Sequence, residues 1–421
     1  LYIWRKNRFF LNILYKLNYT VNNLGMKKIS ILLCLVLIFG ICFFSGCTHE
    51  MVSLYIYKMP NKLVYNIGEK LDTTGLELKN IKTDSALSSI YNSNANFSGF
   101  DSTTSGKKEV TISYGKFTTS FNVYVANKVV ESNKDLLTTI NNASDDDIIL
   151  IKKGEYTIYS PLEINNNKLT IGGEGKDKTK INGYVIIGGY LNEGEITYSN
   201  LAKDISLIGL SFMTKSKTTN SVISFEENKY KGIFGGINAD KISGLNVIGC
   251  SFSGFRTGIK IKDADNCLFT GNCFTKLYVG GIEVTNSIKN STISKNIITY
   301  IGKSVVYLNN EKKQDNIFGI KLAFNEETNV GVSLYKNSIS KIAIKDLNLI
   351  YFNEKTKGNY SNLNYMNNSS AIIIHSSGKN NLQTSGLSIF FNSIGSCLNN
   401  ILYSTNENDV INSSSVNYMS L

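Results

Sequence analysis

Proline and histidine are almost missing, with two of each in 421 residues. So few prolines exclude a proline-stiffened linker, and two histidines exclude a histidine-built metal cluster. Cysteine is sparse too. Of seven, Cys34, Cys42 and Cys47 crowd the N-terminus, leaving Cys250, Cys267, Cys273 and Cys397 for the rest of the chain. Those four either pack as small apolar groups or, outside a cell, pair as disulfides. No acidic residue precedes Cys47, where six of the 44 Lys/Arg lie. Taking those six away leaves 38 basic against 33 acidic residues, so the formal +11 falls to about +5. A dispersed excess of that size excludes an electrostatic nucleic-acid binder. What is abundant is asparagine, serine, threonine and isoleucine, in a chain that is 42% hydrophobic and therefore globular.

The organising stretch is residues 245–308. It reads as three rows, LNVIGCSFSGFRTGIKIKDADN, CLFTGNCFTKLYVGGIEVTNSIKN and STISKNIITYIGKSVVYLNN. Each row has a short apolar strand, a turn slot (Cys250, Asn272, Asn296), an apolar residue two positions on (Phe252, Phe274, Ile298), and a second strand that opens with small residues. The second strands are expected at Ile259–Ile261, Ile282–Val284 and Val306–Leu308, and in further rows at Ile223–Phe225 and Ile372–Ile374. A repeat of 22 to 24 residues rich in β-branched side chains, with no helical period, predicts stacked short strands in a parallel β-helix. Further rows place Leu210, Asn337 and Asn392 in the same slot, after gaps that leave room for long loops. Asn272, Asn296, Asn337 and Asn392 are then a structural ladder, each amide bonding the neighbouring coil and turn. Glu311–Asn316 and Asn353–Asn368 read as polar insertions.

Upstream, Met26-Lys27-Lys28 opens an apolar run that ends Ser45-Gly46-Cys47, the pattern of a secretory signal. Phe44-Ser45-Gly46-Cys47 resembles the bacterial lipobox. That resemblance implies cleavage before Cys47 and acylation (palmitate among the chains) of its thiol, each acyl chain anchoring by burying CH₂ groups. An uncleaved transmembrane helix is the competing reading. Met26 is the expected start, with residues 1–25 a start-site artefact or extended n-region, 26–46 the signal and 47–52 a lipidated tether. Thr48 lacks the acidic character associated with inner-membrane retention, so the expected product is exported, lipid-anchored to the bacterial envelope and surface-exposed.

Residues 53–126 alternate apolar and polar positions between turn signals. Pro60-x-Lys62, Tyr65-x-x-Gly68-Glu69-x-Leu71-Asp72-x-x-Gly75-Leu76, Ser98-Gly99-Phe100-Asp101 and Gly106-Lys107 resemble a group 3 bacterial immunoglobulin-like domain. The resemblance implies a small β-sandwich acting as spacer or adhesion module. Residues 130–404, from Asp135 through IKKGEYTI and LTIGGEGKDKTKINGY to the quoted rows, resemble the pectin lyase-like right-handed parallel β-helix superfamily, with residues 405–421 as a tail. The expected fold is thus all-β, a sandwich then a solenoid, with Lys134–Ala143 a short helix capping the solenoid's open end. Asp145-Asp146-Asp147 reads as a solvated turn, with cation binding as the alternative. Gly172-Gly173-Glu174-Gly175 reads as solenoid turns and not a phosphate loop, because no helix follows for a phosphate to cap.

The superfamily resemblance puts the binding groove over the second strands, and strand alternation sends their polar residues outward. The expected lining is Ser224, Lys260, Glu283 and Tyr307 in one stripe and Glu226, Lys262, Thr285 and Asn309 in another, with Arg256, Asp263, Asp265 and His375 nearby. Such a surface suits a polysaccharide or another host or cell-wall ligand bound without turnover by a monomer. The alternative is a lyase with Lys260 as base and Arg256 or Lys262 neutralising a uronate, Ca²⁺ serving if so, or a hydrolase pairing Glu283 with Asp263. A purely structural surface protein is the third reading. The aspartate clusters of polygalacturonases and the arginine–proline signature of pectate lyases are missing. Neither a metal nor a cofactor is otherwise expected.

Overall fold

The computed structural model describes residues 51–82, 87–193, 195–199, 202–214, 235–302, 317–324, 331–342, 369–376, 387–390, 392–395, 399–404 and 411–412. The apolar run, Cys47 and the expected insertions Glu311–Asn316 and Asn353–Asn368 lie outside the described residues. Among those described, no helix is long and apolar enough to cross a membrane. The chain divides into two compact units, residues 1–53 with 80–88 and residues 54–79 with 89–421. Of the first, the described residues belong to the strands Met51–Lys58, Glu77–Lys82 and Leu87–Ile90, which run on into the second.

The second unit opens with the immunoglobulin-like half. Its four-stranded sheet takes Val64–Tyr65, Phe117–Val125, Gly106–Tyr114 and Asn96–Ser98 in that order. Alternation buries Val110, Ile112, Phe121, Val123 and Val125 and leaves Lys107, Glu109, Thr118, Ser120 and Asn122 exposed, the pattern of an antiparallel sheet with one wet face. The chain passes straight from this sheet into the solenoid, because Lys128–Val130 pairs in parallel with Ile149–Ile151.

The solenoid is a right-handed parallel β-helix. Among the described residues its three sheets hold nine, eight and ten strands. A coil runs from the first sheet to the second to the third, as in Asn246–Ile248, Ser251–Ser253 and Thr257–Asp265. Inward residues repeat at every coil. Ile149, Ile171, Leu207, Val247, Phe269, Ile293 and Leu334 line the first sheet, all essentially fully buried. In the second, the rings of Phe212, Phe252 and Phe274 stack 5.5 and 5.0 Å apart, and Ile298 and Ile339 continue the column. Burying each such side chain contributes roughly 1.5–3 kcal/mol, so the column carries the fold.

Between the first and second sheets a left-handed residue, Gly209, Gly249, Gly271, Lys295 or Lys336 (φ 55–67°), precedes the slot residue. Asn272 donates from Nδ2 to the Val247 carbonyl (2.9 Å) and to Asn296 Oδ1 (3.0 Å), and its N–H also donates to Asn296 Oδ1 (3.0 Å). Asn296 repeats this toward Phe269 and Asn337, and Asn337 toward Ile293 and Asn392. The Cys250 N–H donates to Asn272 Oδ1 (2.8 Å), while its thiol, nearest Leu207 O, holds the slot without an amide. Cys250, Cys267 and Cys273 are all free thiols.

The short helix, here α1 (Asn133–Asn141), buries Leu136 and Ile140 over the first coil. Asp147 of the acidic run is a buried turn residue. Its carboxylate takes Lys128 Nζ (2.6 Å), Asn127 Nδ2 (2.7 Å) and the Ser144 N–H (2.7 Å). Burial works against that charge, but these donors outweigh it and hold the carboxyl below its ordinary pKa. Among the described residues no group of His, Cys, Asp or Glu could hold a metal ion. Gly172, in the glycine run, lies under Val64 of the immunoglobulin-like half, where a Cβ would come within 2.1 Å of Val64 Cγ2. The docking continues down the solenoid. Lys152 lies 3.8 Å from Glu69, Lys295 Nζ donates to the Ile56 carbonyl (3.1 Å) and Lys336 Nζ donates to the Tyr55 hydroxyl (2.7 Å).

Candidate functional site

The third sheet places its side chains by strict alternation. Ile237, Ile259, Ile282, Ile320 and Ile372 point inward and are fully buried, and Ala239, Ile261, Val284, Leu322 and Ile374 do the same two positions on. The residues between them face out. Pairing aligns Asn238, Lys260, Glu283, Lys321 and Ile373 in one column, a coil apart at each step. One position beyond the inward residues Ala239, Ile261, Val284 and Leu322 stand Asp240, Lys262, Thr285 and the buried Ala323, the last paired with His375. A bulge after Ile261 lets Thr285 and Asn286 stand beside Lys262 and re-aims the face there.

Ile223–Phe225 and Val306–Leu308 lie outside the described residues, and the third-sheet strands in register are Gly235–Ala239 and Ile317–Phe324. Ser224, Glu226, Tyr307 and Asn309 likewise lie outside the described residues. Asn238 and Lys321 occupy the outward column, and Asp240 and Ala323 the positions one beyond the inward residues. The physical reason is a glycine. Gly236, Gly258, Gly281 and Gly319 each precede the inward isoleucine, where a Cβ would lie 2.6–2.8 Å from the carbonyl oxygen of the next coil. The same Cβ would meet Phe252, Phe274, Ile298 or Ile339 of the second sheet. In the sequence Ile223 and Val306 each follow Ser-Val, so Gly-Ile was the available signal.

The columns differ along their length. Asn238 is buried and spent on structure, donating to the Gly235 and Val185 carbonyls (2.8 and 3.2 Å). Glu283 and Lys321 form an ion pair at 3.3 Å, with Glu283 the more enclosed. Lys262 is largely exposed and stands 3.7 Å from Asp240, which is mostly buried. Lys260 is half-buried between them. Beyond Lys321 the face turns apolar, where Val279, Phe318 and Ile373 cluster with Tyr278 against them. Burial pushes the Tyr278 phenol above its ordinary pKa. Arg256 sits on the turn into Thr257–Asp265, its carbonyl taking the N–H groups of Val279 and Gly280.

This arrangement is a row of alternating charges. Lys260, Lys262 and Lys321 can donate to carboxylates or hydroxyls, and Asp240 and Glu283 can accept from hydroxyls. A carboxylate pair for hydrolysis is harder to assemble from the residues named for it. Asp263 lies opposite Ser287 and takes Asn286 Nδ2 at 2.6 Å. Ser287 is four residues from Glu283, about 13 Å along a strand, against the ~6.5–9.5 Å separation that inversion uses. Asp265 is held by Asn290 Nδ2 at 2.9 Å.

Comparison with known proteins bears on the two halves unequally. Residues 59–125 match the bacterial Ig-like domain (group 3) family. An exo-β-1,6-galactobiohydrolase of Bifidobacterium longum subsp. longum is 41% identical over 71 residues, 16% of this chain and 5% of that protein. The chain thus spans about a twentieth of that relative's length. Among solved structures, an α-1,3-glucanase from Streptomyces thermodiastaticus aligns over 85% of this chain and 71% of its own, at 11% identity and a TM-score of 0.35. A pectin methylesterase from Erwinia chrysanthemi aligns over 64% and 89%, at 14% and 0.28. A family 28 exopolygalacturonase from Yersinia enterocolitica aligns over 73% of each, at 11% and 0.29. The solenoid itself stands on its strand pairing.

Proposed function

We propose that the chain is a carbohydrate-binding β-helix, with a polysaccharide lying along the solenoid axis on the outward face of the third sheet and no turnover. The observation that carries this is the single register column Lys260, Glu283, Lys321, with Asp240, Lys262 and Thr285 beside it. Coils repeat about every 4.8 Å, close to the length of one pyranose in an extended chain, so each step offers a sugar residue a fresh donor or acceptor. The Glu283–Lys321 ion pair holds two of these groups in place before a ligand arrives, which lowers the ordering cost of binding. The immunoglobulin-like half is then the module that carries this face, and lipidation of Cys47 would hold the protein, as a monomer, at the outer surface of a bacterial envelope.

Affinity electrophoresis through gels holding soluble polysaccharides tests the reading. The wild type should be retarded by at least one glycan, and Lys260→Ala and Lys321→Ala should each weaken retardation, about five- to tenfold for a lost charge-assisted hydrogen bond. Incubation with the same glycans should release no reducing ends and no unsaturated uronate absorbance. Turnover that disappears in Lys260→Ala would replace this reading with a lyase. Failure to bind any glycan would leave a structural role.

A further inference from the structure

Asp240 is out of balance with its surroundings. It directly follows the strand Gly235–Ala239, its side chain only 16% exposed. Its Oδ1 is buried and, among the described residues, takes no hydrogen bond. Its Oδ2 has Lys262 Nζ at 3.7 Å, beyond hydrogen-bond distance, and that lysine is 58% exposed. A carboxylate has about four acceptor sites, and leaving them unused while enclosed costs free energy. Other carboxylates on and near this face are engaged: Glu283 by Lys321, Asp263 by Asn286, Asp265 by Asn290. Asp240 alone among these holds unused acceptor capacity next to an exposed cation.

The third member comes from an insertion. Between the third-sheet strand Val185–Ile187 and the next coil, Gly189–Asn192 and Glu195–Tyr198 fold back as an antiparallel hairpin. Tyr198 closes it opposite Gly189, with its side chain partly exposed. Gly188 and Asp240 directly follow the paired residues Ile187 and Ala239, and the Ser199 N–H donates to the Gly188 carbonyl (3.1 Å), so this end of the hairpin lies beside Asp240. Burial, with the Asp240 charge adding to it, pushes the Tyr198 phenol up to about 12. The phenol stays protonated through the physiological range, a donor with a ring face beside it.

We infer that Asp240, Lys262 and Tyr198 form a subsite for one neutral sugar residue, whose vicinal hydroxyls donate to Asp240 and accept from Lys262 while the ring leans on Tyr198. This rests on the glycan-binding reading of the same face and narrows it. A uronate or sulfated residue is disfavoured here, because its anion would meet the enclosed Asp240 charge. Neutral residues belong at the Asp240 end and acidic ones, where a glycan has them, at the lysines Lys260 and Lys321.

The test is titration of the full chain with soluble neutral polysaccharides (glucans, galactans, mannans) and one polyuronate, for wild type, Asp240→Asn, Tyr198→Ala and Lys321→Ala. Asp240→Asn should lose at least about tenfold in affinity for the neutral glycan and lose nothing for the polyuronate. Tyr198 lies on a hairpin outside the core, so Tyr198→Ala keeps the test valid if Asp240→Asn fails to fold, and it should weaken neutral binding alone. If Lys321→Ala weakens neutral binding while Asp240→Asn and Tyr198→Ala do not, the face binds glycan and this subsite is wrong. If none of the three changes affinity, the binding face itself is wrong.

Discussion

Asparagine and lysine do different work in this chain although both are plentiful and polar. Asn272, Asn296 and Asn337 are almost wholly enclosed and use donor and acceptor together, which only an amide can do in that slot. Asn296→Ala would take the side-chain donor from the Phe269 carbonyl and the acceptor from two donors of Asn272, and leave Asn337 Oδ1 with only the backbone N–H of residue 296. A loss of about 3–5 kcal/mol follows from several unmet buried partners, read as a shift in the denaturation midpoint. Asn296→Asp should cost nearly as much, since a carboxylate cannot donate to Phe269 O or Asn337 Oδ1. If Asn296→Asp were as stable as wild type, the ladder would not be a hydrogen-bond device. The slot could be picked out of the bare sequence because its burial forbids most other side chains. The lysines could not be ranked that way, since a solvated position accepts many residues.

At the scale of the element, the third-sheet strand is defined less by its isoleucines than by the glycine before them. Val and Ile recur across this chain, and Ile223–Phe225 and Val306–Leu308 have the apolar alternation a strand needs. They lack the small residue that allows the second-sheet column and the next coil's carbonyl to come close. Gly258→Ala should therefore destabilise by about 1–3 kcal/mol, measured by chemical denaturation. Phe274→Leu in that background should recover only part, because the Gly281 carbonyl would still lie 2.8 Å from the new Cβ. Full recovery would assign the whole clash to the ring. The same strand shows how much of the site was legible. Lys260, Lys262, Glu283 and Thr285 stand on the outward face, as strand alternation requires. Asp240 and Lys321 were missed because the loops between coils have no fixed length, so counting from one row does not find the next.

Across the whole molecule, the immunoglobulin-like half is seated along the solenoid and does not hang from it by a linker. Val64 over Gly172, Glu69 beside Lys152, and Tyr55 against Lys295 and Lys336 tie it to coils far apart in sequence. A seat that combines packing with paired charge predicts one cooperative thermal transition in calorimetry. Two well-separated transitions, unchanged by Tyr55→Ala, would show the halves to be energetically independent.

Residue order alone settled the repeat, the turn slot, the inward columns of the first two sheets, the sandwich that precedes them and the helix that covers the open end. Each is a demand of burial, and burial restricts side-chain choice strongly enough to leave a period. Which polar groups share a face was decided only when the coils stacked. That depends on where each inserted loop returns to the sheet, a property of tertiary pairing that solvated side chains neither impose nor record.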